Sequence, residues 1–121
     1  MTLLNKAQIL EANDIHTQIV SVPEWGGHVK ITGISARVRD QWEVTIAEQR
    51  EKKKPVDVRA SLCAKAIIDE DGRKLFTDDD IKALGNKSAA ALQRVFLAAM
   101  SLSGLDDKAV EELEGNSKAD L

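Results

Sequence analysis

The fold is predicted to be organised around residues 88–104, which read SAAALQRVFLAAMSLSG. Ser88 can cap a helix, because its hydroxyl accepts a hydrogen bond from an unpaired N–H of the first turn. Gly104 can end that helix in a left-handed conformation. Alanines favour the helical state, and five apolar residues recur at the spacing of one helix face: Leu92, Val95, Phe96, Ala99 and Leu102. The stretch therefore predicts a central helix.

This helix is also apolar away from that face. Leu97 falls on the polar side, between Gln93 and Ser101, and we place the adaptable side chain of Met100 on the same outer side. A helix that is apolar on nearly every side is either central in the core or shared with a partner. Leu97 is therefore an interface residue, an ordinary exposed leucine, or a residue covered by a last helix within 105–114.

Residues 17–32 change from helical spacing to strict alternation, which indicates strands. The reversal between the two alternating runs is PEWGG at residues 23–27, where Pro23 removes a backbone donor and the glycines permit positive φ. We predict an antiparallel hairpin, with Trp25 at its tip either covering the core or contacting a partner. Its inward face is predicted to carry four β-branched side chains, since a one-residue slip would turn them all outward: Val20, Val22, Val29 and Ile31.

Five further helices follow from capping residues and apolar periodicity. The first lies within residues 1–13, where Asn5 and Gln8 have capping-box spacing, and so short a helix must dock on the rest or remain mobile. The others are predicted to begin at capping residues or to follow turns: residues 36 to about 53, residues 57–68, a short helix after Thr77, and residues 105 to about 114.

An Asp-Gly pair at 71–72 predicts a tight turn after the helix at 57–68. The apolar pairs Ile67-Ile68 and Leu75-Phe76 flank this turn and can form a small β ladder. Together these elements predict an α+β fold that is mainly α-helical, with an N-terminal antiparallel β-hairpin packed on a compact helical domain.

Length and composition predict one domain over residues 1–114 and a disordered tail over 115–121. The 43% hydrophobic and 31% charged content is ordinary for a globular protein, and with only two tryptophans and two phenylalanines the core must be largely aliphatic. The net charge of −3 provides no electrostatic footprint for nucleic acid. No apolar run approaches a membrane span, and a single cysteine fits a reducing compartment. We expect a cytosolic protein that binds neither nucleic acid nor membrane.

Three local features invite a site but have simpler explanations. The basic run at 52–54 has glutamates beside it and is typical of a solvated linker. His16, His28 and Cys63 do not have the spacing of zinc ligands. Cys63 lies in an apolar helix, where burial should raise the pKa of its thiol and lower its reactivity. We therefore expect no catalytic residues, no metal and no cofactor.

The acidic turn matches the pattern of a calcium-binding loop only in part. With Gly72 at its sixth position, Asp69 and Asp71 fill the third and fifth positions. The first position is then Ile67, which has no ligand atom in its side chain, and the last is Asp78 instead of glutamate. A turn followed by a capped helix accounts for each acid, so we expect no specific calcium site.

Two blocks of the sequence resemble the tail assembly chaperones of long-tailed bacteriophages and prophages. VSVPEWGGHVKI at residues 20–31 is similar to the family's hairpin, and DEDGRKLFTDDDIKALGNKSAAALQRVF at residues 69–96 is similar to its C-terminal half. NKAQILEAND at residues 5–14 also resembles the family. The order and separation of the blocks agree with it, so the likeness spans most of the chain.

The resemblance implies a non-enzymatic role inside the infected host cell. Such chaperones bind the tape measure protein, keep it soluble, and help tail tube subunits polymerise around it. They act in the host cytoplasm and are usually absent from the finished virion. The alternative is a structural tail or head–tail joining component that the virion retains.

A chaperone for a long helical client needs exposed apolar surface on a soluble body. Trp25, Leu97 and Met100 are the residues that we expect to contact the client or a second copy. Self-association would align several copies along one client and raise the avidity of binding.

Overall fold

The computed structural model describes residues 1–105, so the predicted last helix and tail, and with them the end of the predicted domain, lie outside the described residues apart from Leu105. Within this range the chain forms an α+β fold that is mainly helical, as predicted. The helices are α1 (Lys6–Glu11), α2 (Ala36–Glu51), α3 (Val58–Ala66), α4 (Ile81–Gly85) and α5 (Ala89–Leu102). The strands are β1 (Thr17–Val22), β2 (Gly27–Thr32) and β3 (Ile67–Ile68), and short 3₁₀ turns cover Pro23–Trp25 and Asp78–Asp80.

Helix α5 is the central element, as predicted. The Ser88 hydroxyl accepts a hydrogen bond from the Ala91 N–H at 3.3 Å, and Gly104 has a φ of +69° just past the helix end. The helix packs against α3 on one side and against β1 and β2 on another. Its predicted inner face is buried except for Leu102, which is half-buried against the core. A fully buried leucine, valine or phenylalanine side chain contributes about 1.5–3 kcal/mol.

The hairpin has the predicted register. Val20 pairs with Val29, which places both on the inner face with Val22 and Ile31. Val22 and Ile31 are fully buried, and the other two valines are half-buried against the core. The alternation of the sequence therefore identifies the inward face correctly.

The sheet has a third strand, which differs from the predicted helix over 57–68. Helix α3 ends at Ala66, and Ile67 and Ile68 pair antiparallel with Ile31 and Lys30 of β2. Two β-branched side chains gain more from pairing with the open edge of β2 than from extending a helix. The ladder expected with Leu75-Phe76 is reduced to a bridge between Ile68 and Lys74.

Helix α2 ends at Glu51, slightly before the predicted end near residue 53. Lys53 has a φ of +56°, a left-handed conformation that stops the helix before Pro55. Within the helix, Trp42 and Ile46 are buried, and the Trp42 indole N–H donates a hydrogen bond to the Ser61 hydroxyl of α3 at 2.7 Å. This bond fixes α2 against α3.

The end of β2 is locked to the end of α5. Gly33 is buried so closely against this helix that an added Cβ would lie 2.6 Å from the Leu102 carbonyl oxygen. The next residue, Ile34, donates its N–H to the Ser103 hydroxyl at 3.1 Å. The hairpin is therefore held at a fixed position on the helical core.

Candidate protein-interaction surfaces

The N-terminal segment, residues 1–15, stands outside the core. In α1 the capping box forms as predicted, because the Asn5 side chain accepts from the Gln8 N–H and the Gln8 side chain accepts from the Asn5 N–H, both at 2.9 Å. No residue of α1 is buried. Of the two predicted alternatives for this helix, docking on the rest of the chain is not observed within the described residues.

Among the described residues, most of the exposed large apolar side chains lie at this end of the chain. Among residues 1–105, seven of the ten exposed large hydrophobic side chains belong to the first 19 residues. Apolar groups concentrated in this way mark a surface that contacts another protein or a membrane. The seven are Met1, Leu3, Leu4, Ile9, Leu10, Ile15 and Ile19. Sequence reasoning missed this surface, although the apolar residues before and within α1 were visible.

A second surface is the Trp25 groove, an open cavity of about 510 Å³ between the hairpin tip and α4. Four apolar and three charged residues line it: Trp25, Phe76, Ala83 and Leu84, with Glu24, Asp80 and Lys87. Trp25 packs partly against the core and also forms a wall of this groove. Its indole N–H is shielded from solvent and has no hydrogen-bond partner among the described residues.

An ion pair holds the hairpin tip against α5. Arg94 binds both carboxylate oxygens of Glu24 through its two terminal nitrogens. The hydrogen bonds from Arg94 are the main reason that the pKa of the Glu24 carboxyl is lowered, since they favour its charged form. Because Trp25 is the next residue, this pair also fixes one wall of the groove.

Leu97 lies on the exposed side of α5, with 47% of its surface accessible. It does not line the Trp25 groove, but it is one helical turn from Arg94, which ties α5 to the hairpin tip. Its neighbour Gln93 accepts a hydrogen bond from Arg59 Nε at 2.7 Å. Leu97 and Trp25 thus lie on separate surfaces. Arg94 is near both, since it lies one turn before Leu97 and pairs with Glu24, the residue before Trp25.

The predicted position of Met100 is wrong. Met100 is only 5% exposed and belongs to the core, so it is not on the outer side of α5. It follows Phe96 by four residues and Leu92 by eight, a spacing that places all three on the same side of a helix. An exposed contact surface on α5 therefore has to be built without it.

The acids considered as calcium ligands serve the local backbone and a neighbouring lysine. Asp69 Oδ1 accepts hydrogen bonds from the N–H groups of Asp71 and Arg73, each at 2.9 Å, which closes the turn. Asp78 Oδ1 lies 3.5 Å from Lys65 Nζ. Within residues 1–105, no group of three or more His, Cys, Asp or Glu side chains is arranged to hold a metal ion.

Cys63 is fully buried between α3 and α5. Its thiol lies 3.8 Å from the Leu92 carbonyl oxygen, to which it can donate. Burial raises the pKa of the thiol to about 12, as expected from its position in an apolar helix. The thiolate needed for nucleophilic chemistry is therefore strongly disfavoured.

None of the helices in residues 1–105 is both long enough and apolar enough to cross a membrane.

Comparison with protein families provides the remaining finding. A family model described as "Phage tail assembly chaperone" matches residues 4–118. The match includes both α1 and the hairpin as well as the helical core. Comparisons with curated proteins and with solved structures found no match.

Proposed function

Because the chain belongs to the phage tail assembly chaperone family, we propose that it binds the tape measure protein and keeps it soluble while tail tube subunits polymerise around it. The observation that carries this proposal is the family match over residues 4–118, which extends across nearly all of the chain. The family is one of chaperones and not of enzymes. A role in tail assembly implies protein partners in the tail, and we propose the tape measure and tail tube proteins as those partners.

The surfaces described above support binding of an apolar helical client. Leu97 and the N-terminal segment expose apolar side chains, whereas most other large hydrophobic residues within 1–105 are buried or half-buried. Exposed apolar side chains of this kind favour binding of an amphipathic helix, which buries its apolar residues in a groove or against a partner's apolar side chains. We propose that Leu97 and Trp25 contribute to contacts with the client or with a second copy of the chain.

We further propose that this binding is transient and takes place in the host cytoplasm. A transient helper is absent from the finished particle, whereas a structural tail or head–tail joining component is present in fixed stoichiometry. Mass spectrometry of purified virions separates the two. A stoichiometric amount of this chain in virions would contradict the chaperone proposal and favour the structural role.

Co-expression with the tape measure protein tests the client directly. We expect a soluble complex that co-purifies, and a tape measure protein that aggregates when expressed alone. Leu97→Glu is expected to weaken the complex, since it places a charge in an apolar contact. Val44→Glu is the matched control, because Val44 is a similarly exposed apolar residue on a different helix, α2.

Circular dichroism should show the same helical content for both variants and the parent. If the tape measure protein aggregates equally with and without this chain, the proposed client is wrong. If the parent forms the complex and Leu97→Glu does not weaken it, the tape measure protein remains the proposed client and Leu97 is not part of the contact.

A further inference from the structure

We propose that the outer edge of strand β1 pairs antiparallel with the same edge of a second copy, so that the two three-stranded sheets join across a two-fold axis at Ile19. This edge is separate from Leu97, from the Trp25 groove and from the N-terminal segment. The contact needs no client, and it therefore goes beyond the proposed function.

Strand β1 lies at one edge of the sheet. The strand order is β1-β2-β3, so among residues 1–105 no strand lies beside the outer side of β1. Just before this strand, the Gly33 N–H donates to the His16 carbonyl oxygen at 3.0 Å. Successive residues of an antiparallel strand turn their backbone groups to opposite sides. Every second residue from His16 to Val22 therefore directs its backbone groups toward β2.

The residues between them direct their backbone groups away from β2. They are Thr17, Ile19 and Ser21. Their outward N–H and C=O groups make no hydrogen bond within the described part of the chain. Strand β1 therefore presents a row of donors and acceptors with which another strand can pair.

The strand lacks the features that usually prevent such pairing. Natural edge strands carry charges, prolines or bulges that keep other strands away. Thr17–Val22 reads TQIVSV, without a charged residue or a proline, and it pairs with β2 residue for residue without a bulge. Ile19, near the middle of the edge, has 60% of its surface exposed. The edge is therefore open, and apolar near its centre.

The sequence of the edge is complementary to itself. When Ile19 lies opposite Ile19 of the second copy, Thr17 lies opposite Ser21. Apolar pairs and Thr–Ser pairs at directly opposite positions stabilise an antiparallel sheet, and no like charges meet within the strand. The outward-facing residues then form hydrogen-bonded pairs, each of which exchanges two backbone bonds. Pro23, which has no N–H, ends the ladder.

A second copy fits this edge better than the proposed client does. The client is proposed to bind as a helix, and the backbone groups of a helix are already paired within it. A second copy always provides an identical strand, and one two-fold axis satisfies both edges at once. Strand addition at a sheet edge is a recurring mode of recognition. A contact through one strand is small, so we expect a reversible dimer whose population depends on concentration.

Amide hydrogen exchange of the full chain, followed by NMR over a range of concentrations without client, is the first measurement. The amides of Thr17, Ile19 and Ser21 should exchange more slowly as the concentration rises, because dimerisation pairs them. The amides of Gln18 and Val20 face β2 in the monomer, so they should change less and serve as the internal control. Exchange that does not depend on concentration would overturn the inference. Protection that appears only when the tape measure protein is added would also overturn it and assign the edge to the client.

Opposite charges at Ile19 provide the decisive measurement. Ile19→Lys and Ile19→Glu each place like charges opposite each other at the two-fold axis. Each variant alone should therefore dimerise at least about tenfold more weakly in Kd than the parent, as measured by sedimentation velocity. An equal mixture of the two variants places lysine opposite glutamate and should form a heterodimer. This rescue depends on the register, because it requires the two positions to face each other.

Val44→Lys and Val44→Glu are the matched controls, because Val44 is 56% exposed and lies on α2 instead of the sheet. Both controls should dimerise like the parent. Circular dichroism and thermal unfolding establish that each variant is folded. If folded Ile19 variants associate like the parent, or if their mixture forms no heterodimer, the edges do not pair at Ile19 and the inference is wrong.

These results are independent of the test of the proposed function. Sedimentation and the charge variants involve no client, so a chain that stays monomeric overturns the edge contact and leaves the chaperone proposal intact. A chain that dimerises through β1 but does not keep the tape measure protein soluble in co-expression contradicts the chaperone proposal and supports the edge contact.

Discussion

Two helices with side-chain N-caps, α5 and α1, have opposite surroundings. Ser88 starts α5 and Asn5 starts α1, and in both cases a side chain accepts a hydrogen bond from the first turn. Yet Leu92 of α5 is 4% exposed and Leu10 of α1 is 73% exposed. A local cap therefore marks where each helix begins, whereas burial depends on which other elements lie beside the helix.

The largest expected difference is in stability, between truncating a leucine of the core and truncating a leucine of α1. Leu62→Ala, at a fully buried site on α3, should lower the free energy of unfolding by about 2–5 kcal/mol, since it leaves a cavity. Leu10→Ala removes the same atoms from an exposed site and should change it by no more than about 0.5 kcal/mol in the monomer. Urea unfolding at low protein concentration measures both. Equal losses would mean that α1 docks on the core.

Gly33 provides the next largest effect. In Gly33→Ala the new methyl group meets the Leu102 carbonyl at 2.6 Å, so β2 or α5 must move. We expect a loss of about 1–3 kcal/mol, as is typical of overpacked sites. Gly27→Ala is the control, because no atom lies within 4 Å of its added Cβ. Thermal unfolding of the two variants should differ clearly, and a stable Gly33→Ala protein would show that the hairpin is not held rigidly on α5.

Removal of the two caps sharpens the comparison. Ser88→Ala should lower global stability by about 1 kcal/mol, because α5 is part of the cooperative core. Asn5→Ala should leave global unfolding unchanged and instead reduce the helical NMR chemical shifts of residues 6–11. A common loss of stability from both variants would show that α1 unfolds together with the core.

The smallest effect concerns the ion pair at the hairpin tip. Because the pKa of Glu24 is lower in the folded state, the pair stabilises the protein above the unfolded pKa, and this contribution disappears as pH falls through the folded pKa. Glu24→Gln should therefore melt slightly below the parent at neutral pH and level with it in acid. Calorimetry at both pH values tests this, and the sign would be wrong if the gap widened in acid.

Local rules predicted much of this fold. The caps at Ser88 and Asn5 and the hairpin face at Val22 depend on residues within a few positions of each other, so the sequence alone identifies them. Ile67 and Ile68 were predicted to pair only with Leu75-Phe76, and their pairing with β2 was missed because Ile67 meets Ile31, far away in the chain. These two isoleucines fit the end of a helix equally well.

The surfaces were harder to predict than the elements. Met100 was predicted on the outer side because it lies near Leu97, which falls on the polar side of α5. The spacing of four residues between Phe96 and Met100 indicates instead that Met100 faces the core. The Trp25 groove forms where the hairpin tip meets α4, some 60 residues later in the chain. No local pattern encodes such a meeting, whereas the apolar residues before and within α1 are visible in the sequence, and only their exposure depends on the rest of the fold.

Because the Cys63 thiol is buried between α3 and α5, its chemical reactivity can report how often these two helices separate. Because burial raises the pKa of the thiol to about 12, the reactive thiolate is strongly disfavoured near neutral pH, and reagents cannot reach the thiol while the two helices are in contact. Its rate of alkylation therefore counts the openings that separate α3 from the Leu92 carbonyl. If that rate falls when client is added, binding has tightened the core. If it is unchanged, the client is held entirely at the surface.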